Sequence, residues 1–193
     1  MNAELFSLYN ADRQEHASQA KVNTPEYKAM RARDFQRREC VMEIVTQNES
    51  LSAEDYFHAA WVMNHGDTQA DAQHAHSLAL HSSELGHRPA RWLAAASYDR
   101  WLLYQGKPQK YGANYIYDGS QDRLWDVDPS TTDADRAAWD VPPLAEQLRK
   151  AEQANRHRTP MSETERMEFE ANAPAWLKEI LKKWRAESDS STS

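Results

Sequence analysis

Residues 56–112 decide the fold, and they read YFHAAWVMNHGDTQADAQHAHSLALHSSELGHRPARWLAAASYDRWLLYQGKPQKYG. This stretch holds six of the eight histidines and four of the five glycines of the chain. Gly66, Gly86 and Gly106 lie twenty residues apart, and each follows a segment whose apolar residues have helical spacing. A glycine just beyond a helix commonly takes the left-handed conformation. The pattern therefore predicts helices in series, each closed by a left-handed glycine.

Capping signals extend the helical pattern to both sides of this stretch. Thr24 followed by Pro25 is typical of a helix start, and the apolar residues beyond it predict a long helix ending near Thr46. Ser52 with Asp55 three residues later predicts a capping box. Further helix starts are predicted at Asp67 or Thr68, Pro89, Thr132, Pro143 and Ser162. The connections are short, so neighbouring helices are expected to be antiparallel.

The character of the sequence changes after Gly106. Aromatic and β-branched residues flank the dipeptide Asp118-Gly119, a combination typical of a tight β-turn. We therefore expect a β-hairpin near residues 109–127. A two-stranded hairpin is marginal alone, so it must pack against the helices.

These signals predict a mostly α fold: a single helical domain of antiparallel helices with a small appended β-hairpin. The regular glycine spacing leaves open a repeat-like arrangement of helix pairs, as in tetratricopeptide-like or Sel1-like proteins. Within the chain we expect a partly mobile N-terminal segment at 1–23, a helical core at 24–160, a C-terminal helical arm at 161–187 and a disordered tail at 188–193.

The C-terminal arm carries an apolar stripe that is too large to be left in water. Its residues share one helical face: Trp176, Leu177, Ile180, Leu181 and Trp184. We expect this stripe to pack over the helical body or, alternatively, across a homodimer.

The composition of the chain argues against nucleic acid and a membrane as its partners. A net charge of −7 argues against nucleic acid, because phosphate binding needs clustered Lys and Arg. No stretch approaches eighteen apolar residues, so we expect no membrane span. The single cysteine, Cys40, fits a reducing compartment, which together with the absence of a leader-like start predicts a cytoplasmic protein.

His65 and Asp99, both in the central stretch, are candidates for acid–base chemistry. His65 ends a predicted helix, where the helix dipole favours a protonated imidazole, and Asp67 is close enough in sequence to orient it. Asp99 falls inside an apolar helix face, where an unpaired carboxylate is costly. It is therefore either a structural hydrogen-bond acceptor or a general acid or base facing a cleft.

The histidines do not have the spacing of a standard metal site. His74 and His81 lie two turns apart on one helix face, about 10 Å along the axis, which is too far to share one ion. No H-x-x-x-H or E-x-x-H arrangement of the usual zinc or di-iron sort is found within one predicted helix. We therefore expect no metal ligands and no cofactor; if a metal were found, Asp67, Asp71 and His74 would be its first candidates.

Three motifs together resemble a bacterial protein family of unknown function. They are Asn64-His65-Gly66-Asp67, Asp99-Arg100 and the segment 106–112, GKPQKYG. The family signature is Gln-His-x-Asp, then Asp-Arg, then Gln-x-Tyr-Gly-Thr-Gln, in the same order. The resemblance covers roughly residues 35–150. This chain departs from the signature at Asn64, which replaces Gln, and at Ala113-Asn114, which replace Thr-Gln.

The resemblance implies a site but no agreed reaction. We take His65, Asp67 and Asp99 as candidate catalytic residues. The candidate substrate-binding residues are Asn64, Trp61, Arg100, Gln109 and Tyr111. In an extended segment Gln109 and Tyr111 project to the same side, where an amide and a phenol would either orient a substrate or satisfy Asp99 and Arg100.

We therefore expect a small cofactor-independent enzyme that performs acid–base chemistry on a modest organic substrate. Hydrolysis, isomerisation and cyclisation all suit such a set of groups. The alternative is a helical-repeat-like interaction module whose polar cluster is structural. A cleft holding His65, Asp99 and Tyr111 would favour the enzyme, whereas mutually satisfied polar groups in a solid core would favour the module.

Overall fold

A computed structural model describes residues 1–17, 24–48, 50–156 and 158–190. Within these ranges the chain forms nine α-helices and two short β-strands, which confirms the predicted mostly α fold with a hairpin. The elements are α1 (Ala3–Ala17), α2 (Pro25–Gln47), α3 (Ala53–Asn64), α4 (Gln69–Glu84), α5 (Pro89–Leu103), β1 (Tyr115–Tyr117), β2 (Asp122–Leu124), α6 (Asp133–Ala137), α7 (Leu144–Asn155), α8 (Glu163–Asn172) and α9 (Ala175–Ser190).

The helix starts follow the predicted caps. The hydroxyl of Thr24 accepts a hydrogen bond from the amide of Tyr27, and Pro25 occupies the first turn of α2. Capping boxes begin four further helices, at Ser52, Thr68, Thr132 and Ser162. Each box satisfies amide groups that have no partner inside the helix, so the sequence fixes these boundaries locally.

The chain divides into two compact units, Met1–Tyr98 and Asp99–Ser193, a division that the sequence pattern did not reveal. We call them the first and second units. The boundary falls inside α5, whose first ten residues belong to the first unit. Each unit has its own apolar core.

The core of the first unit is formed by α1 to α4. Its buried residues are Leu5, Val41, Ile44, Ala59, Val62, Met63 and Ala75. Helices α3 and α4 pack against each other, and both carry buried alanines. Helix α1 packs against both α2 and α3. The sequence analysis had assigned no helix to this N-terminal segment, whose residues 18–23 lie outside the described part of the chain.

The core of the second unit surrounds Trp125. Its other buried members are Leu103, Ala173, Leu177, Ile180, Leu181 and Trp184. The apolar stripe of α9 therefore packs within its own chain, which is one of the two predicted arrangements. Helix α9 continues through Ser190, so the first residues of the predicted disordered tail are helical, and 191–193 lie outside the described residues.

The hairpin lies where it was predicted. Strands β1 and β2 pair antiparallel with Ile116 opposite Arg123, and the turn between them contains Asp118 and Gly119. The amides of Ser120 and Gln121 donate to the carboxylate of Asp118, which stabilises the turn.

The glycine prediction is correct at two positions and wrong at the third. Gly86 and Gly106 have positive φ angles of 94° and 69°. Gly66 does not have a positive φ. A β-carbon at Gly66 would overlap the side chain of Asp71, so this glycine is required by a close approach and not by a left-handed backbone.

Candidate active site

The first unit brings three helices together at one polar cluster. Helix α1 contributes Asp12 and His16, α2 contributes Asp34, and α3 ends at its C-cap residue His65. Asp12 and His16 are one helical turn apart, so both point to the same side of α1. The cluster is therefore built from regular helices whose packing fixes its geometry.

His65 is held by a buried carboxylate. Its Nδ1 atom lies 2.6 Å from Oδ2 of Asp12, and Asp12 has no exposed surface. An ionised carboxylate can only accept a hydrogen bond, so the Nδ1 atom carries the proton and donates it. In the neutral ring the lone pair then lies on Nε2, which is the arrangement of a histidine prepared to accept a proton.

His16 lies directly on His65. The two imidazole rings are stacked, with centroids 3.9 Å apart and an interplanar angle of 20°. The Nε2 atom of His16 lies 3.3 Å from Oδ1 of Asp34 and 3.8 Å from Oδ1 of Asp12. Two imidazoles and two buried carboxylates therefore share one small volume.

Arginines neutralise the second carboxylate of the cluster. Asp34 receives hydrogen bonds from Arg31 and Arg37 and is fully buried. Burial alone would raise the pKa of Asp34, but the contacts with His16, Arg37 and Arg31 outweigh it and lower the pKa to about 2. Asp34 is therefore ionised at neutral pH and does not serve as a proton donor there.

Arg31 connects this cluster to the backbone around His65. Its Nη2 atom donates to the carbonyl oxygen of His65 at 2.7 Å and lies 2.5 Å from Oδ1 of Asp67. The side chain of Asp67 is 64 % exposed. The carboxylate on the imidazole of His65 is thus Asp12, and Asp67 contacts the arginine that holds the His65 carbonyl.

One polar atom of the cluster has no hydrogen-bond partner. The Oδ1 atom of Asp12 is buried, and it has no hydrogen-bond partner among the described residues. The Nε atom of Arg37, 3.7 Å away, is buried without a partner as well. Because an unsatisfied buried carboxylate oxygen costs about 1–3 kcal/mol or more, this pair marks a place where an additional polar species would be favourable.

The remaining predicted residues near His65 have local contacts. The ring of Trp61 lies edge-on to the His65 ring at a centroid distance of 6.0 Å. The amide oxygen of Asn64 accepts a hydrogen bond from the hydroxyl of Ser97. Trp61 therefore borders the imidazole, while Asn64 ties the end of α3 to α5 within the first unit.

Asp99 belongs to the second unit, where it anchors a loop. Its carboxylate accepts hydrogen bonds from the backbone amides of Lys110, Tyr111 and Ala113 at 2.7 to 3.0 Å. Burial raises the pKa of Asp99 to about 6, against the lowering effect of these amides and that of Gly112. Asp99 therefore makes the contacts of a structural hydrogen-bond acceptor, which is one of the two roles predicted for it.

Gln109 is likewise engaged with the backbone. Its amide nitrogen donates to the carbonyl oxygens of Asn114 and Trp125, and its amide oxygen accepts from the amide of Asn114. The side chain is fully buried. The carbonyl of Tyr111 accepts from the buried guanidinium of Arg136. The Gln-x-Tyr-Gly segment thus contacts Asp99 and the hairpin through hydrogen bonds that shape the loop.

The predicted groups consequently fall into two units. His65, Asp67, Asn64 and Trp61 belong to the first, whereas Asp99, Arg100, Gln109 and Tyr111 belong to the second. The Nε atom of Arg100 is buried, with no hydrogen-bond partner among the described residues. A single hydrogen-bonded cluster that joins His65 to Asp99 stays a prediction.

Asp12, His16 and Asp34 are not among the predicted site residues. A signal was present, since Asp12 and His16 have the i,i+4 spacing that places two side chains on one helix face. The expectation of a partly mobile segment at 1–23 excludes these residues from a predicted site. The ligand atoms of Asp12, His16 and His65 lie within 4.8 Å of one another, so these residues also form a candidate metal-binding group.

Comparison of the chain with protein-family models, with curated proteins and with solved structures found no match. The resemblance to a bacterial family therefore stays a prediction. Across the described residues no helix is both long and apolar enough to cross a membrane. The assignment of function consequently depends on the geometry of the polar cluster.

Proposed function

We propose that the protein is a small enzyme that performs acid–base chemistry on a modest organic substrate, with His65 as the proton carrier. The observation that carries this proposal is the 2.6 Å contact between Nδ1 of His65 and Oδ2 of the fully buried Asp12. A buried carboxylate on one imidazole nitrogen fixes the tautomer and stabilises the imidazolium that forms when the other nitrogen accepts a proton.

The neighbours of His65 have separate tasks in this proposal. Asp12 replaces Asp67 as the orienting group, because its carboxylate contacts the imidazole directly. His16 is stacked on His65 and partly exposed, so it places a second imidazole beside the ring that carries the proton. Trp61 provides an apolar edge next to the imidazole.

The second unit has a structural part in this proposal. The side chains of Asp99 and Gln109 form hydrogen bonds with backbone groups in the segment that follows α5. A general acid or base must reach the substrate, and a carboxylate surrounded by amide donors is poorly placed to do so. We therefore assign the acid–base role to the first unit alone, with hydrolysis, isomerisation and cyclisation as the candidate reactions.

The alternative function, an interaction module with a structural polar cluster, is favoured by one observation. Asp34 is saturated by ion pairs with Arg31 and Arg37, and Glu15 pairs with Arg33 and Arg37. Such a network also suits a role in joining α1 to α2. The two functions differ in whether His65 is needed for turnover or only for stability.

A turnover screen separates them. The full-length protein is incubated with an extract of polar cellular metabolites, and mass spectrometry follows every compound that is consumed or formed. We expect a change with the wild-type protein that falls at least a hundredfold in rate for His65→Ala, the scale of a lost general base. The matched control is His74→Ala, because His74 is exposed on α4.

The outcome that supports the interaction module is equally specific. If His65→Ala turns over the same compounds at the wild-type rate, or if it loses only stability while no compound changes with either protein, the acid–base proposal is wrong. Melting curves of both variants distinguish an inactive folded protein from an unfolded one.

A further inference from the structure

We infer that Asp12, His16 and His65 form a binding site for one divalent transition-metal ion. The three residues come from α1 and from the end of α3, and one ligand atom of each lies within 4.8 Å of the others. This set contains the two imidazoles and the carboxylate that zinc and its neighbours in the first transition row prefer. The sequence pattern predicts no metal ligands, and the residues it would put first if a metal were found are Asp67, Asp71 and His74.

The ligand atoms must move closer together for one ion to bind all three. Bonds of about 2.0–2.1 Å in tetrahedral geometry place ligand atoms about 3.3 Å apart. The Nε2 atom of His16 is already 3.8 Å from Oδ1 of Asp12. The side chains of His16 and His65 are 25 % and 21 % exposed, so neither ring is enclosed on all sides. Asp12 is immobile by comparison, since it is fully buried on α1.

An unsatisfied carboxylate oxygen independently points to a ligand at this place. Oδ1 of Asp12 is buried with no hydrogen-bond partner among the described residues, although Oδ2 of the same group is bonded to His65. Buried acceptors in folded proteins are nearly always satisfied by a donor, a water or an ion. An ion at this position would satisfy Oδ1 directly.

The surrounding charge favours a cation. The cluster and its ion pairs contain more carboxylates than guanidinium groups, so its net charge is negative while the imidazoles are neutral. The carboxylates are Asp12, Glu15, Asp34 and Asp67, and the guanidinium groups are Arg31, Arg33 and Arg37. Arg37, which lies nearest to Asp12, is itself paired with Glu15 and Asp34.

Three protein ligands would leave at least one coordination position for water or for an oxygen of the substrate. With Nδ1 of His65 donating to Asp12, an ion could bind only Nε2 of His65, so the ion-bound protein and the protein in which His65 carries the proton are alternative states of one cluster. This inference rests on the proposed function only in that both place the chemistry at this cluster. Binding of the ion itself is measurable without any substrate, so the two claims can fail separately.

The experiment is a metal titration of the full-length protein after treatment with a chelator and dialysis. Isothermal titration calorimetry with Zn²⁺ gives affinity and stoichiometry, and Co²⁺ reports coordination by its visible absorption. We expect one ion per chain, with affinity at least tenfold weaker in His16→Ala and in His65→Ala. His74→Ala and His81→Ala, which remove exposed histidines of α4, should bind as the wild type does within twofold.

Circular dichroism confirms that each variant is folded, and His16→Gln is a second variant if the alanine substitution is poorly tolerated. Equal affinity in the wild type and His16→Ala, or no saturable binding by the wild type up to millimolar Zn²⁺, would overturn the inference. Absence of metal binding together with turnover that depends on His65 would remove the ion and leave the proposed function intact. Metal binding without any turnover would support the ion and remove the proposed function.

Discussion

His65 and Asp12 lie 53 residues apart in sequence, and their side chains meet in a 2.6 Å contact between Nδ1 and Oδ2. One group caps α3 and the other is buried on α1. The contact therefore joins an end of the histidine-rich region to a helix that the sequence pattern did not reveal. Both the acid–base proposal and the metal site depend on it.

The identity of the carboxylate that holds His65 can be tested by two matched substitutions. Asp12→Asn should lower the free energy of unfolding by roughly 1–3 kcal/mol, because it damages a fully buried charged hydrogen bond. Asp67→Asn should cost less than about 1 kcal/mol, because Asp67 is largely exposed and pairs with Arg31 at the surface. Urea denaturation followed by circular dichroism measures both, and equal losses would contradict the assignment of Asp12.

Asp99 should give the second unit a specific pH dependence. The pKa of Asp99 is raised to about 6, so the folded state holds the proton more tightly than the unfolded chain does. The stabilisation is then complete below about pH 4 and is lost as the pH rises through about 6. Relative to Asp99→Asn, the wild type should lose roughly 2–3 kcal/mol of stability between pH 4 and pH 7.5.

Tryptophan fluorescence in urea is a suitable probe of this dependence, since Trp125 lies in the core of the second unit. The comparison with Asp99→Asn removes the contributions of all other acidic groups. A difference that stays constant with pH, or that increasingly favours the wild type as the pH rises, would show that the carboxylate is not destabilised by burial.

The apolar stripe of α9 should contribute strongly to the stability of the second unit. Trp184 is 3 % exposed and packs edge-on against Trp125, so Trp184→Ala should cost about 3–5 kcal/mol. Met167→Ala on α8 is the matched control, because this large apolar side chain is 65 % exposed and should change stability by less than about 1 kcal/mol. Thermal unfolding measures both, and a small loss for Trp184→Ala would contradict the packing of α9.

Local chemistry explains which parts of the fold were predictable. Thr24, Ser52 and Ser162 begin helices through hydrogen bonds to residues three positions away, so the cap and its partner are visible in the sequence. The turn at Asp118-Gly119 is local in the same sense. Gly66 was misjudged because its requirement comes from contact with Asp71 across a loop, which no local pattern records.

The candidate site was harder to predict because its contacts are distant in sequence. His65 was identified from its place at a helix end, but its partner could have been any carboxylate that packing brings near. Asp67 was chosen for proximity along the chain, whereas Asp12 is the group that packing places on the ring. For Asp99 the sequence leaves a structural and a catalytic role open, since burial on an apolar face is common to both roles.

The most direct test of the central claim is the tautomer of His65. Long-range ¹H–¹⁵N correlation spectra are recorded on chelator-treated, ¹⁵N-labelled protein at pH 8, where an ordinary imidazole is neutral, and the His65 signals are assigned by their loss in His65→Gln. The account predicts a proton on Nδ1 and a lone pair on Nε2, with both signals shifted in Asp12→Asn and unchanged in Asp67→Asn. A proton on Nε2, with signals that do not respond to Asp12→Asn, would contradict it.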